Sequence, residues 1–366
     1  MVDVAAPDRI PAGGYDVLIA LGALDRAGDS IRAAMPAHRY AIVTDTNVGP
    51  LYAGRLAPQL GDDAVVITIP AGEEHKSRDT WASVTDQLLD AGLGRDSAIV
   101  ALGGGVVCDL AGFVAATFMR GIPVTHVPTT LLAMTDASIG GKTGVDTPAG
   151  KNLVGAFHSP SVVVIDAQVL STLPLTELRS GLAESIKHGA VADAGYFEEL
   201  SREAPRLLAE GSGGRDLGLL DRVIRKSVRL KADVVAADER EKGARKTLNF
   251  GHTIGHAIEL LSGFTVRHGE AVAIGMVLEA RAGELTGHTE PGTADAIQTA
   301  LVRAGLPVAR PAGPSPEQLL GVMRGDKKSR AGAIEYAIPT RIGVMAGAGS
   351  GYGVRLSDAA VAEVLA

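Results

Sequence analysis

Asn249, His252, His256 and Glu259, in the stretch LNFGHTIGHAIEL (248 to 260), follow one another at intervals of three, four and three. On a helix that spacing gives one polar stripe among apolar neighbours. Two imidazoles four residues apart are spaced as a helical metal pair. Glu184, Glu259, Glu270 and His268 are the candidates for a third ligand, His268 lying in RHGEAVAIGMV just before an apolar helical pattern. Two neutral imidazoles and a carboxylate suit Zn²⁺ with a fourth position open to substrate oxygens, the arrangement of a catalytic centre. Satisfied core histidines are the competing reading, and spacing alone leaves the ligand set open.

Other segments carry charge in suggestive places. LTELRSGLAESIKHGAV (175 to 191) puts Glu184, Lys187 and His188 on one helix face at i, i+3 and i+4, which taken alone is a solvated face with one ion pair. MTDASIGGKTGVDTPAGKNLVGAFH (134 to 158) is long for an irregular segment and holds Asp136, Lys142, Lys151 and Asn152 among five glycines. Loops of that size are functional or disordered, and the spacing of Ile139, Val145, Leu153, Val154 and Phe157 argues for an ordered active-site loop. Lysines beside glycines (GGK, GKN) can follow the backbone close to an anion. ALGGGVVCDLAG (101 to 112) reads as a strand end opening a helix, where glycines let amides approach a diphosphate and the helix N-terminus adds partial positive charge. Its spacing departs from G-x-G-x-x-G, so alone it does not establish a dinucleotide fold. Asp45 in TDTN and Glu73 with Lys76 in GEEHKS close two further strand-like runs, offering a carboxylate to a ribose and an ammonium to a phosphate.

The elements that must position these groups come in two kinds. Residues 39–47, 64–70, 97–105 and 123–130 are apolar, β-branched runs that end at Gly, Pro or polar residues and read as buried strands. Between them, 78–92 and 106–121 have helical periodicity, so the first part predicts a Rossmann-like α/β domain with a parallel sheet and a ligand crevice at the strands' carboxyl ends. After about residue 160 helical patterns dominate, at 176–192, 221–237, 247–261, 269–287 and 294–304, with loops at 209–216 and 347–353. The expectation is an α/β domain over 1–160 and a mostly α-helical one over 161–366. With 366 residues, 46% hydrophobic and 21% charged, the chain is long enough for two cores.

Composition also excludes partners. Thirty-five Lys and Arg against 42 Asp and Glu give a net charge of −7, so nucleic acid meets no basic field and any anion must be met by local cations. The single cysteine, Cys108, rules out an intrachain disulfide and says nothing against a reducing compartment, so the cytoplasm is the default expectation. MVDVAAPDRIPAGGYDV has no basic segment followed by an apolar one, and runs such as 271–278 fall far short of the roughly 20 residues of a bilayer span, so neither export nor membrane insertion is expected.

Six segments in this order resemble the 3-dehydroquinate synthases of the shikimate pathway: GGGVVCDLAGFVAATFMRG, PTTLLAMTDASIGGKTGVDTPAGKNLVGAF, GLAESIKHG, KADVVAADEREKGARKTLNFGHTIGHAIE, RHGEAVAIGMV and GDKKSRAG. The likeness runs from about residue 40 to 340. It implies a homodimeric enzyme with an N-terminal NAD-binding domain, a C-terminal metal-binding domain and an active site between them. The substrate implied is a phosphorylated sugar acid, 3-deoxy-D-arabino-heptulosonate 7-phosphate, and the products are 3-dehydroquinate and phosphate. The route implied is transient NAD-dependent oxidation at C5, β-elimination of phosphate, re-reduction, ring opening and an intramolecular aldol closure.

The resemblance also assigns residues. It gives the metal, Zn or Co, to Glu184, His252 and His268, and makes His256 a substrate contact. Lys187, Asn152, Asn249 and Lys327 go to the substrate phosphate, Lys142, Lys231 and Arg245 to its carboxylate, and Arg120 reaches the phosphate from the partner subunit. For NAD it points to Asp45, Glu73, Lys76, Ser77, Gly104, Gly105, Val106, Asp109, Thr129, Thr130, Asp136, Lys142, Lys151, Val169, Leu170, Ser171 and Thr172. Two enzymatic alternatives share the architecture. A cyclase acting on sedoheptulose 7-phosphate or glucose 6-phosphate has no carboxylate to bind and little use for Lys231 with Arg245. A metal-dependent polyol dehydrogenase has little use for the GGK, GKN and DKK lysines.

Overall fold

The computed structural model describes residues 7–148, 150–209, 214–325 and 334–366. It divides into two compact units, the first made of the described residues up to Leu173 together with Leu217–Asp233, the second of those in Pro174–Asp216 and Val234–Ala366.

The first unit is built on a seven-stranded sheet. Its strands are β1 (Asp8–Pro11), β2 (Asp16–Ile19), β3 (Arg39–Asp45), β4 (Val65–Ile69), β5 (Ser97–Gly103), β6 (Val124–Pro128) and, after a separate hairpin of β7 (Lys142–Thr147) with β8 (Gly150–Phe157), β9 (Val162–Ile165). The order across the sheet is β1-β2-β9-β6-β5-β3-β4, parallel throughout except for β1. Strand β5, SAIVALG, is buried along its whole length, which is why it reads as one unbroken apolar run rather than an alternation. Helices α1 (Ala27–Ala34), α2 (Gly49–Leu56), α3 (Arg78–Asp90) and α4 (Gly105–Thr117) accompany the strands. Val84 and Leu88 of α3 and Val107, Leu110, Ala111 and Val114 of α4 join Val43, Ile67, Ile99 and Val124 of the sheet in one core. From β3 the chain steps outward to β4 and then back past β3 to β5, so the order reverses between β3 and β5. Ligands of open α/β sheets gather at such a switch point.

The second unit is mostly helical. It holds α5 (Leu175–Ala192), α6 (Ala194–Leu208), the end of α7 (Leu217–Ala237), α8 (His252–Leu261), α9 (His268–Leu285), α10 (Thr293–Arg303), α11 (Pro316–Gly325) and α12 (Asp358–Leu365). Ile254 and Ile258 of α8, Ile274 and Leu278 of α9, Leu319 of α11 and Val361 of α12 share a second core. Among the described residues no helix is long and apolar enough to cross a membrane.

The α/β and helical division follows the expectation, but four details differ. The division falls after Leu173 rather than at residue 160, because the wholly buried β9 pairs with β2 and β6 inside the sheet. The first part of α7 also returns to the first unit, where Arg225 Nη1 meets Asp8 at 3.0 Å and Arg225 Nη2 donates to the Ile19 carbonyl at 3.0 Å. The expected irregular loop over 134–158 is mainly an antiparallel hairpin, pairing Lys142 with Phe157 through Thr147 with Gly150. The expected helix over 247–261 is broken: a 3₁₀ turn (Ala244–Asn249) ends ahead of Gly251, whose φ of 80° suits glycine, and α8 starts at His252. Asn249 therefore stands outside the helix that carries His252, His256 and Glu259.

Candidate active site

In the second unit three helices contribute one side chain each to a group that could hold a metal ion. Glu184, on α5, is fully buried, a costly place for a carboxylate unless cations or polar groups face it. His252 and His268 are the first residues of α8 and α9. The three ligand atoms lie within 4.8 Å of one another. His268 Nε2 is 3.3 Å and His252 Nε2 3.6 Å from Glu184 Oε1. Ligand atoms around a tetrahedral Zn²⁺ with bonds of about 2.0–2.1 Å are about 3.3–3.4 Å apart, so these separations are close to the edges of such a site.

The other ring nitrogens are also engaged. His252 Nδ1 lies 3.1 Å from the Phe250 carbonyl, and His268 Nδ1 lies 3.3 Å from both oxygens of Glu259. Metal-bound histidines are oriented by such partners. Burial pushes the His268 pKa down, but Glu259 and Glu184 overcome it and raise it to about 10, so the space between these carboxylates favours positive charge. Lys187, one turn after Glu184, pairs with Glu184 Oε2. The donor set fits a divalent ion.

His256, one turn along α8, has its ring 5.2 Å from that of His252 and 6.3 Å from that of His268. His256, Glu259 and His268 form a second group with close ligand atoms. Glu259 approaches His268 from the Nδ1 side, opposite the nitrogen that faces Glu184, which suits an orienting carboxylate better than a third ligand. Glu270 accepts from the Arg267 N–H at 3.1 Å and closes the first turn of α9, so it leaves the set of candidates. Arg245, 2% exposed, donates through Nη1 to the Glu239 carbonyl at 2.5 Å. Asn249 Nδ2 donates to Glu241 Oε1 at 2.5 Å.

The first unit gathers its own charges at the carboxyl ends of the strands. Lys76, buried, lies 2.9 Å from Glu73, 3.3 Å from Asp109 and 3.6 Å from Asp146, and Lys151 lies 2.9 Å from Glu73. Burial alone would raise the Glu73 pKa, yet the two ammonium groups hold it down at about 2. Asp109 is raised to about 6 because burial outweighs Lys76, and Asp146 is raised for the same reason. Lys76 itself is raised, its carboxylate neighbours outweighing desolvation.

At the end of β5, α4 begins on Gly104 without a side-chain cap, which leaves its first amides for another acceptor. A Cβ on Gly104 would stand 3.0 Å from Thr130 Cγ2, so the backbone is kept bare there. Nearby, the buried Thr129 Oγ1 has no protein hydrogen-bond partner. A bare helix start at the switch point, an unpaired hydroxyl and a buried ammonium fit a dinucleotide diphosphate.

Residues 66–180 match the family model described as 3-dehydroquinate synthase N-terminal, and residues 181–329 the model described as 3-dehydroquinate synthase C-terminal. The chain belongs to the 3-dehydroquinate synthase family. A 3-dehydroquinate synthase of Symbiobacterium thermophilum is 48% identical over 90% of this chain and 92% of its own. Among solved structures, 2-epi-5-epi-valiolone synthase from Streptomyces hygroscopicus, with NAD⁺ and Zn²⁺ bound, is 29% identical at a TM-score of 0.83 and covers 99% of this chain and 98% of its own. A 2-deoxy-scyllo-inosose synthase complexed with carbaglucose-6-phosphate, NAD⁺ and Co²⁺ has a TM-score of 0.86 at 24% identity, covering 98% of this chain and 99% of its own, a likeness of fold. The resemblance read from the six sequence segments is borne out.

The remaining positions singled out in this 3-dehydroquinate synthase family member fall as follows. Lys231 Nζ donates to the Asp136 carbonyl at 2.6 Å and to Asp136 Oδ1 at 2.7 Å, both residues in the first unit. Lys142 and Asn152 are exposed on the hairpin, and Asn152 adopts a φ of 52° with its N–H on Asp146 Oδ1 at 2.9 Å. Arg120 is exposed at the end of α4, where Met119, Arg120 and Gly121 have φ of 50°, 69° and 113°. Val106 and Gly105 open α4. Asp45 Oδ1 accepts from the N–H groups of Asn47 and Val48, and Ser77 Oγ caps α3 through Thr80 N, so both have local structural work. Val169, Leu170, Ser171 and Thr172 form a 3₁₀ turn tied down by Tyr52, whose hydroxyl reaches the Val169 carbonyl at 3.0 Å and Thr172 Oγ1 at 2.6 Å. Lys327 lies outside the described residues. Sequence reasoning missed Asp146, which joins the Lys76 cluster to the Asn152 backbone. A carboxylate six residues before Asn152, between two lysines, was its only signal.

Proposed function

We propose that this chain converts 3-deoxy-D-arabino-heptulosonate 7-phosphate to 3-dehydroquinate and phosphate, using NAD and a divalent ion, Zn²⁺ or Co²⁺, as a cytoplasmic homodimer. The convergence of Glu184, His252 and His268 at tetrahedral-edge separations carries the assignment. When bound, the ion supplies a Lewis acid that lowers the pKa of a substrate hydroxyl, and NAD supplies a reversible hydride acceptor.

The chain's own groups then bind and orient. Arg245 and Lys231, with Lys142, take the carboxylate. Lys231 is held by two acceptors on Asp136 and Arg245 by the Glu239 carbonyl, so both cations are set before substrate arrives. Lys187, Asn152, Asn249 and Lys327 take the phosphate, joined by Arg120 from the second copy. Two successive non-glycine residues in the left-handed region present Arg120 at the surface, a conformation costing about 1–2 kcal/mol per residue. His256 holds a substrate hydroxyl beside the ion. Oxidation at C5 places a ketone next to the carbon that loses its proton, and the departing phosphate accepts that proton. Lys76, Lys151 and the first turn of α4 hold the dinucleotide diphosphate, with Asp45 at a ribose.

Phosphate release, measured with Zn²⁺ and NAD⁺ on 3-deoxy-D-arabino-heptulosonate 7-phosphate and separately on sedoheptulose 7-phosphate, tests this. Release from the sugar acid with no net NADH is expected. Release from sedoheptulose 7-phosphate alone, or steady NADH without phosphate, would sink it.

A further inference from the structure

Both histidines of the metal group stand at the first residue of a helix, and in each case a side chain from a neighbouring helix accepts an amide hydrogen bond at that helix start, alongside Glu270 at α9. Glu279, fully buried on α9, accepts the Gly251 N–H at 2.7 Å through Oε2 and the Ile254 N–H at 2.9 Å through Oε1. These two amides bracket His252, and α8 has no side-chain cap of its own. At the start of α9, the Gly269 N–H, next to His268, donates to Ser180 Oγ at 3.0 Å. Ser180 lies on α5 one turn before Glu184. The three helix segments therefore hand constraint along a line: α5 fixes α9, and α9 fixes α8.

There is no slack in these contacts. A Cβ on Gly251 would stand 2.6 Å from Met276 Cγ and 2.7 Å from the Val272 carbonyl, both on α9. On Gly269 it would stand 2.6 Å from Ser180 Oγ. The geometry points to Glu279 and Ser180 as positioning residues of the metal centre, which set where His252 and His268 stand relative to Glu184. Glu279 has a second effect through its charge. A helix N-terminus carries roughly half a positive charge, which beside a metal ligand opposes cation binding, and a carboxylate on that terminus offsets it. This inference rests on the metal reading above.

The test uses the full chain, stripped by a chelator and dialysed. Zn²⁺ affinity is measured against a chromophoric chelator, and the Co²⁺ complex by its visible absorption. Glu279→Gln keeps size and removes charge, and Ser180→Ala removes the α9 contact. Leu301→Ala opens a cavity in the buried face of α10, a helix that carries neither histidine and neither capping side chain, and is a control for general loss of stability. All are compared well below their melting temperatures. Losing such an outer partner typically weakens metal binding 10–100-fold. Glu279→Gln is expected to fall in that range with altered Co²⁺ bands, Ser180→Ala to move the same way, and Leu301→Ala to bind as the wild type despite a lower Tm. Affinities of Glu279→Gln and Ser180→Ala within threefold of wild type, with unchanged bands, overturn the inference, as does an equal loss in Leu301→Ala. Should Glu279→Gln not fold, Ser180→Ala decides. A wild type that binds no more ion than His252→Ala removes the metal reading itself, a result distinct from a tight-binding wild type with indifferent variants.

Discussion

Arg245→Lys keeps a positive charge and removes a planar fork. Arg245 is 2% exposed, its Nη1 donates to the Glu239 carbonyl at 2.5 Å, and its backbone N–H donates to Asp238 Oδ2 at 3.1 Å. The guanidinium is thereby fixed, able to offer two parallel donors to a carboxylate where lysine offers one ammonium on a flexible stem. One lost charge-assisted hydrogen bond removes about 1.5–3 kcal/mol of transition-state binding, a fall in kcat/KM of about tenfold to somewhat over a hundredfold. The Glu239 carbonyl also loses its donor, which lowers folding stability by about 1–3 kcal/mol. Initial rates of phosphate release over a range of substrate concentrations, below the variant's Tm, read the first effect. Any turnover of sedoheptulose 7-phosphate, which has no carboxylate, should change less than threefold. A fall under threefold on the sugar acid, or an equal fall on both sugars, would refute the carboxylate role.

Three further outcomes follow from the same geometry. His252→Ala should abolish metal-dependent turnover and leave the circular dichroism spectrum largely unchanged; full activity in the purified variant would contradict the ligand assignment. Lys76→Met strips three carboxylates of their buried cation, so urea unfolding should show a loss of about 3–5 kcal/mol together with weakened NAD binding in titration calorimetry, and unchanged stability would speak against the cluster. His126, buried in β6 with Nδ1 unbonded, has its pKa lowered to about 4 by burial and by His158. Its folded pKa lies below the unfolded one, so the stability it contributes is complete above about pH 6.5 and is lost as pH falls toward 4. The shift corresponds to about 3 kcal/mol, and His126→Gln should show that much less acid sensitivity across this window in urea midpoints.

The sequence made β3, β4, β5 and β6 readable because all four are rich in β-branched and other apolar residues and end at glycine, proline or polar residues, although β4 lies at an edge of the sheet. DRIP and DVLI, which become β1 and β2, are too short and mixed to carry a pattern, and their pairing with each other and with β9 is decided by tertiary contacts. The metal group was legible as a set of candidates, and the family resemblance chose among them. What no local pattern held was long-range partnership. Glu279 in VLEARAGEL has the look of a charge on a solvated helix face, and it is fully buried because α8 begins against it. The offset of Asn249 was hidden for a related reason, since only the packing at Gly251 shows that the helix must restart there.

The discontinuous first unit bears on how the chain is made. Its sheet strands have all been synthesised by Ile165, yet Leu217–Asp233, which brings Arg225 and Arg229 to Asp8 and Lys231 to Asp136, is complete only about sixty residues beyond Leu173. At a synthesis rate of roughly 5–20 residues per second, the nascent sheet waits about 3–12 s for its last segment. During that interval the Asp136 carboxylate lacks its ammonium partner. No single cut in the gene yields the first unit whole, so a fragment stopping at residue 173 should be a poor substitute for it, and any circular permutant must keep both segments of the unit on one chain.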